Sequence, residues 1–342
     1  MGIGAAGGGL FFLAHLPLAW MLGAMATTTA AALGGVPVAF WPPARGGMIA
    51  VLGVALGSTF YPDVIDQAGR WLGGLAVLAG YVAVTSALVY RYFRRVGGFD
   101  PVTAYFASTP GGFNEMVVVS EAMGGQFQTV ALVHATRVLV AVFTIPLAFR
   151  FGLGLDVPAL APGSPWHLAT DQAVILAGCL GLGWPAARLA RVPAAALVGP
   201  MVLSAAAHLT GLATASPPAE LVAAAQVVVG AAVGARFAGL QLSHILVTVR
   251  LALGSTALFL VTATVLAWSL AGVLGVPVEA LMLALAPGGL AEMALVALAL
   301  GVDTAFVSTM HVCRIAMVVI CAPVAFRLAR RAGPRDRTGP AR

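Results

Sequence analysis

Long apolar runs, separated by short segments rich in glycine, proline and arginine, make up almost the whole chain. The runs 71–90, 246–272 and 303–326 approach or exceed the roughly 20 residues that a helix needs to cross a bilayer. The runs predicted to be helices are 4–14, 17–35, 44–60, 71–93, 126–150, 168–186, 193–213, 218–237, 245–272 and 303–328. This pattern predicts an all-α polytopic membrane protein.

Two further apolar segments, 101–124 and 276–301, are interrupted by the same short motif. The sequence Pro-Gly-Gly-x-x-Glu-Met occupies 110–116 in the first segment and 287–293 in the second. Proline breaks the helical hydrogen-bond ladder, and glycine tolerates most backbone angles. Each segment is therefore predicted to be a broken or re-entrant helix.

The match between the two copies continues on both sides of this motif. A His-x-x-Arg pair at 134–137 aligns with one at 311–314, and a Gly-x-x-x-Gly at 53–57 aligns with one at 230–234. Shared alanine or leucine is expected by chance in so apolar a chain, but shared histidine and arginine are not. The chain is therefore predicted to be an internal duplication, with repeat 1 at 1–152, a linker at 153–167, repeat 2 at 168–328 and a basic tail at 329–342.

The distribution of arginine predicts opposite orientations for the two repeats. Arg91, Arg94 and Arg95 end the fourth helix of repeat 1, whereas the matching end in repeat 2, 268–272, carries no charge. Basic residues favour the cytoplasmic side of a membrane. With about five transmembrane helices in each half, two inverted repeats follow. The linker, which has no arginine, is predicted to be periplasmic, and the tail cytoplasmic.

Composition supports a membrane protein and excludes several other classes. Of the 342 residues, 60% are hydrophobic and 9% are charged, and the mean hydropathy is +0.98. The 18 basic residues are all arginine, which excludes a Schiff-base lysine and a Walker-type phosphate loop. Because the +6 net charge comes from scattered residues and the tail, no nucleic-acid partner is expected. The three cysteines lie in apolar segments without metal-ligand spacing, so neither a metal nor another cofactor is expected.

The ionisable residues of the duplicated segments are the candidate functional residues. Glu115 and Glu292 fall in the first turn of the half-helix that follows each glycine pair, where free N–H groups favour anions. Ionisable groups inside a membrane are expensive and are usually paired or functional. The carboxylates are therefore proton or cation carriers, or they form structural pairs that lock each broken helix to its neighbour. Both interpretations remain open. The predicted charge partners are His134, Arg137, His311 and Arg314.

The repeats differ around the motif, and copy one is the more polar. Ser108 and Thr109 align with Leu285 and Ala286, for example. Substrate ligands are therefore expected mainly from copy one, although drift at interfacial positions is the alternative. The predicted substrate-binding residues are Ser108, Thr109, Gly111, Gly112, Asn114, Gly288 and Gly289. The predicted ion-coupling residues are Glu115, Glu292, Glu121 and Asp303.

These repeated motifs resemble those of the AbrB family of bacterial membrane proteins, over essentially the whole chain. Members of that family often carry the label of ammonia monooxygenase or of its regulator. The family is also similar to inverted-repeat transporters, among them cation/proton antiporters and bile-acid symporters. The resemblance implies a secondary carrier in the bacterial inner membrane, surrounded by lipid.

The leading hypothesis is a secondary transporter of a small organic anion or amphoteric metabolite, coupled to protons or Na⁺ and bound between the two broken helices. A membrane-embedded regulator that affects gene expression indirectly is the alternative. An oxygenase is not expected, because copper or iron sites need clustered ligands and the six histidines form no cluster in the sequence. The chain is therefore expected not to be an enzyme, and a homodimer is left open.

Overall fold

In the computed structural model, the described residues are 1–38, 42–62, 68–155, 168–238 and 242–332, and every regular element among them is helical. Most of the predicted linker and the end of the predicted tail, 156–167 and 333–342, lie outside these residues. The helices of the first half are α1 Gly2–Leu13, α2 Ala19–Leu33, α3 Pro42–Gly57, α4 Ala68–Arg95, α5 Pro101–Ser108, α6 Phe113–Ala122 and α7 Phe127–Leu147. Those of the second half are α8 Thr170–Leu189, α9 Ala195–Leu209, α10 Ala219–Gly234, α11 Leu242–Leu274, α12 Val278–Leu285, α13 Leu290–Leu300 and α14 Thr304–Ala332.

Helix length divides the predicted crossings into two groups. In the described part of the chain, six helices are long and apolar enough to cross a membrane: α4, α7, α8, α10, α11 and α14. The runs predicted at 4–14, 17–35, 44–60 and 193–213 form shorter apolar helices. A helix rises about 1.5 Å per residue, so α2 and α9, with 15 residues each, are shorter than a hydrocarbon core of roughly 30 Å. The protein is thus a multi-pass membrane protein, with six candidate spanning helices in the described part of the chain.

The two Gly-x-x-x-Gly motifs allow close packing between helices. The glycines of α3 lie against α9, and the equivalent glycines of α10 lie against α2. A Cβ on Gly53 would collide with the carbonyl oxygen of Leu197, and a Cβ on Gly230 would collide with that of Met21. Gly57 and Gly234 lie equally close to the same partner helices one turn further on. The Gly-x-x-x-Gly spacing therefore allows backbone-to-backbone packing between the two halves.

The long helices α4 and α11, which occupy equivalent places in the two halves, pack antiparallel. Nη1 of Arg70, at the start of α4, lies 3.5 Å from the carbonyl oxygen of Gly275, just beyond the end of α11. Midway along, the hydroxyl of Tyr81 donates to the carbonyl of Phe259 at 3.1 Å. Near the end of α4, the side chain of Tyr92 lies against Gly254.

Each Pro-Gly-Gly motif lies between two short helices. In copy one, α5 begins at an Asp100 cap, whose carboxylate accepts from the N–H groups of Val102 and Thr103. The backbone N–H of Gln126, which follows α6, donates to Oγ1 of Thr103 at 2.9 Å. The start of α5 and the end of α6 are therefore neighbours. In copy two, α12 and α13 flank the same motif.

Candidate functional site

A cavity of about 470 Å³ lies between the two breaks. Its wall includes both Pro-Gly-Gly motifs, the first turns of α6 and α13, and the first turn of α9. The ionisable side chains in this wall are Arg45, Glu115, His134, Arg137, Arg236, Glu292 and Arg314. Nine of the residues predicted from the sequence as ion-coupling groups, charge partners or glycine ligands therefore line one cavity, together with others.

The two glutamates occupy matching positions against the motif glycines. Each is the third residue of its half-helix, after the caps Gly112 and Gly289. A Cβ on Gly112 would collide with Oε2 of Glu115, and a Cβ on Gly289 would collide with Oε2 of Glu292. Each carboxylate therefore folds back onto its break, and a side chain at the cap would require the glutamate side chain to move. Glu292 is 7% exposed, and Glu115 is partly buried.

In each repeat, the histidine of the His-x-x-Arg pair joins an arginine to the helix that precedes the break. Nε2 of His134 bonds the carbonyl of Phe106 in α5, and Nε2 of His311 bonds that of Leu283 in α12, both at 2.9 Å. A carbonyl only accepts, so Nε2 must carry the proton. Nδ1 is then free to accept from the guanidinium of Arg137 at 3.0 Å in copy one, and the same contact measures 2.9 Å in copy two. The geometry is that of the neutral Nε2–H tautomer.

Beyond the histidine, the two arginines have different partners. In copy two, Nη1 and Nη2 of Arg314 donate to the carbonyls of Ala286 and Gly288 at 2.5 and 2.8 Å. The guanidinium thus fastens the second break to α14. In copy one, Nε and Nη1 of Arg137 have no hydrogen-bond partner among the described residues. Arg137 instead lies over the ring of Phe259, 5.4 Å from its centroid. In the described part of the chain, neither arginine is hydrogen-bonded to a glutamate, which is the structural pairing that the sequence left open.

Two cavity arginines were not predicted from the sequence. Arg236 lies in the short 3₁₀ turn after α10, and its guanidinium stacks 4.0 Å from the ring centroid of Phe113. Arg45 lies in the first turns of α3. The repeat comparison held a signal for Arg236, because copy one has Thr59 at the equivalent place. An arginine that replaces a neutral residue in an apolar helix end could have been singled out on that ground.

The cavity favours an anion. Four arginines line it against two glutamates. The first turns of α6, α9 and α13 add backbone N–H groups that have no partner within their own helices. Helix N-termini carry partial positive charge and bind carboxylate or phosphate groups. The volume lies within the range of pockets that hold small molecules.

Several predicted site residues lie elsewhere. The hydroxyls of Ser108 and Thr109 donate to the carbonyl of Tyr105 at 2.8 and 2.7 Å, and both residues line a separate, mostly apolar cavity of about 900 Å³ between α4, α5 and α14. Glu121 is exposed near the end of α6. The carboxylate of Asp303 accepts from the N–H of Phe306 and so caps α14. His311 is fully buried outside the cavity wall, and the side chain of Asn114 lies outside the described part of the structure.

Comparison with known proteins agrees with the resemblance seen in the motifs. Residues 20–330 match the family model described as "Transition state regulatory protein AbrB". The chain is 27% identical to "Uncharacterized protein YhjN" of Bacillus subtilis (strain 168), with 95% of this chain and 91% of that protein covered. It is 25% identical to "Putative regulator AbrB" of Escherichia coli (strain K12), over 95% of this chain and 94% of the relative. A family match over most of its length shows that this multi-pass membrane protein belongs to the AbrB family.

Proposed function

We propose that this protein is a secondary transporter of a small organic anion, driven by a proton or Na⁺ gradient across the bacterial inner membrane, with no catalytic step. One observation carries the proposal: a single cavity is bordered by both helix breaks, both repeat glutamates and four arginines. Broken helices whose N-termini meet at a ligand site are the usual binding architecture of inverted-repeat carriers. Irregular backbone at membrane depth is tolerated where it lines such a cavity.

The proposed topology is that of two inverted repeats with re-entrant breaks. The antiparallel packing of α4 against α11 supports it, because equivalent spanning helices that run in opposite directions imply halves of opposite orientation. The Gln126–Thr103 hydrogen bond supports a first break that enters and leaves on one side. Since α4 ends where α11 begins, the two breaks then enter from opposite sides and meet at the cavity.

The proposed orientation places the end of α4 in the cytoplasm, because Arg91, Arg94 and Arg95 cluster there. Antiparallel helices α4 and α11 put the start of α11 on the same side. Phe306, at the start of α14, lies against Gly74 near the start of α4, so α14 ends on the cytoplasmic side with Arg327. The C-terminus is therefore proposed to be cytoplasmic.

The proposed coupling groups are Glu115 and Glu292. Each carboxylate lies at a helix start beside an anion cavity, where its charge opposes that of the substrate. Binding a proton or a Na⁺ at either glutamate removes this repulsion, so ion and anion favour each other's binding. The two binding steps are coupled without direct contact between them.

Glu115→Gln and Glu292→Gln are expected to lose gradient-driven uptake at least about tenfold, because glutamine keeps the size but cannot titrate. The measurement is accumulation of radiolabelled acetate, lactate, succinate and citrate in proteoliposomes under an imposed pH or Na⁺ gradient. Glu279→Gln is the matched control, since Glu279 also lies in the first turn of a helix, α12, but outside the cavity. It should behave as wild type.

Two results would contradict the proposal. The first is that no anion accumulates above empty liposomes under either gradient. The second is that both glutamine variants accumulate substrate as wild type does, which would leave transport without the proposed coupling groups.

A regulatory role is the second candidate, and the name of the Escherichia coli relative, "Putative regulator AbrB", favours it. In the present scheme, regulation would follow from the level of the transported metabolite. A folded Glu115→Gln variant that no longer transports separates the two roles. Unchanged gene expression in cells carrying that variant would favour direct regulation over transport.

A further inference from the structure

The two repeat arginines have the same place in the sequence pattern but different bonds. We infer that Arg137 binds one charged group of a divalent organic anion, of the dicarboxylate class, whereas Arg314 holds the second break in place. This inference rests on the proposed function, whose organic-anion substrate it narrows.

The guanidinium of Arg137 is positioned to bind a ligand. Its side chain is 2% exposed and lies in the cavity wall. His134 and the ring of Phe259 fix the guanidinium from two directions, which leaves Nε and Nη1 as donors without partners among the described residues. A buried charged donor without an acceptor is unfavourable. A carboxylate of the ligand supplies the missing acceptor, and arginine is well suited to bind this planar group.

Arg314 has little capacity left for a ligand. Three of its hydrogen bonds are internal, to His311 and to the carbonyls of Ala286 and Gly288. Only Nε is without a partner among the described residues. The arginines at this repeated position therefore have two different roles, and the sequence repeat does not reveal the difference.

A second cationic group accounts for the second charge of the ligand. Arg236, held over the ring of Phe113, and Arg45 line the same cavity as Arg137. With both glutamates ionised, the four arginines leave an excess of two positive charges. A proton or Na⁺ bound at one glutamate raises that excess to three, and in either state a divalent anion offsets more of it than a monovalent anion does. The cavity volume of about 470 Å³ is enough for a four-carbon dicarboxylate.

The test is binding to the purified full-length protein in lipid nanodiscs, with succinate, acetate and inorganic phosphate as probes. Succinate is expected to raise the thermal midpoint and to bind at least about tenfold more tightly than acetate. Arg137→Gln should weaken succinate binding about 30-fold or more, and Arg137→Lys should weaken it less because the charge remains. Arg188→Gln, the same change at an exposed arginine of α8, should bind succinate as wild type does.

Equal succinate affinity in wild type and in both Arg137 variants would overturn the inference. So would tighter binding of inorganic phosphate than of succinate, which would point to a phosphate compound rather than a dicarboxylate. Failure here is distinguishable from failure of the transport proposal. Loss of succinate binding in Arg137→Gln without any gradient-driven uptake by wild type keeps the binding role and rejects the transporter. Gradient-driven uptake that is the same in Arg137→Gln as in wild type keeps the transporter and rejects the binding role of Arg137.

Discussion

Arg314→Ala is expected to lower the free energy of unfolding by about 3 kcal/mol or more, because three buried acceptors lose their donor and each costs roughly 1–3 kcal/mol when left unpaired. Those acceptors are Nδ1 of His311 and the carbonyls of Ala286 and Gly288. Without them the second break is no longer fastened to α14. The measurement is the denaturation midpoint of the purified protein in detergent micelles.

Arg137→Ala is the matched control, since it removes the equivalent residue of the other repeat. Only one hydrogen bond to a side chain is lost, together with the contact to Phe259, while two unpaired donors disappear. Its effect on stability should therefore be clearly smaller. Equal losses in the two variants would show that the different bonding of the arginines has no energetic consequence.

Gly53→Leu and Gly230→Leu are expected to be the most damaging single changes in the helix packing, each at least about 3 kcal/mol, with loss of folded protein as the visible result. Both glycines face backbone atoms of a partner helix, at Leu197 and Met21, and backbone cannot move aside as a side chain can. The measurement is the yield of monodisperse protein by size-exclusion chromatography, followed by the thermal midpoint.

Gly80→Leu and Gly178→Leu are the controls for helix packing. Both glycines lie in spanning helices, yet no atom would come within 4 Å of an added Cβ. Leucine at these two positions should be tolerated and should stabilise its helix slightly, because glycine is the poorer helix former. Normal folding of Gly53→Leu and Gly230→Leu would mean that α3 and α10 do not pack through these glycines.

The breaks and their glutamates were predictable, because their physical causes are local. Proline followed by two glycines disfavours a continuous helix, and both α5 and α12 end two residues before the proline. The lengths of α2 and α9 were not predictable from hydropathy. Each begins after a residue with left-handed backbone, Leu18 at φ 47° and Ala194 at φ 52°. Leucine and alanine rarely adopt this conformation, so the sequence does not predict it.

The residues that line the cavity were only partly predictable from the sequence, for a similar reason. Repetition identifies Glu115 and Arg137, whereas Arg45 and Arg236 occur in one copy each, so the repeat comparison shows them only as differences between the copies. The direction of a side chain also depends on the angle at the break. Ser108 illustrates this, because its hydroxyl turns back to the carbonyl of Tyr105 and away from the cavity beyond the motif.

Transport by the proposed mechanism requires the cavity between the breaks to open in turn to the two sides of the membrane. The most direct measurement replaces Cys179, Cys313 and Cys321 by serine and introduces Ala195→Cys at the cavity wall. A membrane-impermeant thiol reagent is then added to right-side-out and to inside-out vesicles. A transporter whose cavity opens to each side in turn should be labelled at Ala195→Cys from both sides, with succinate slowing both reactions. Labelling from one side only, with or without succinate, would contradict it.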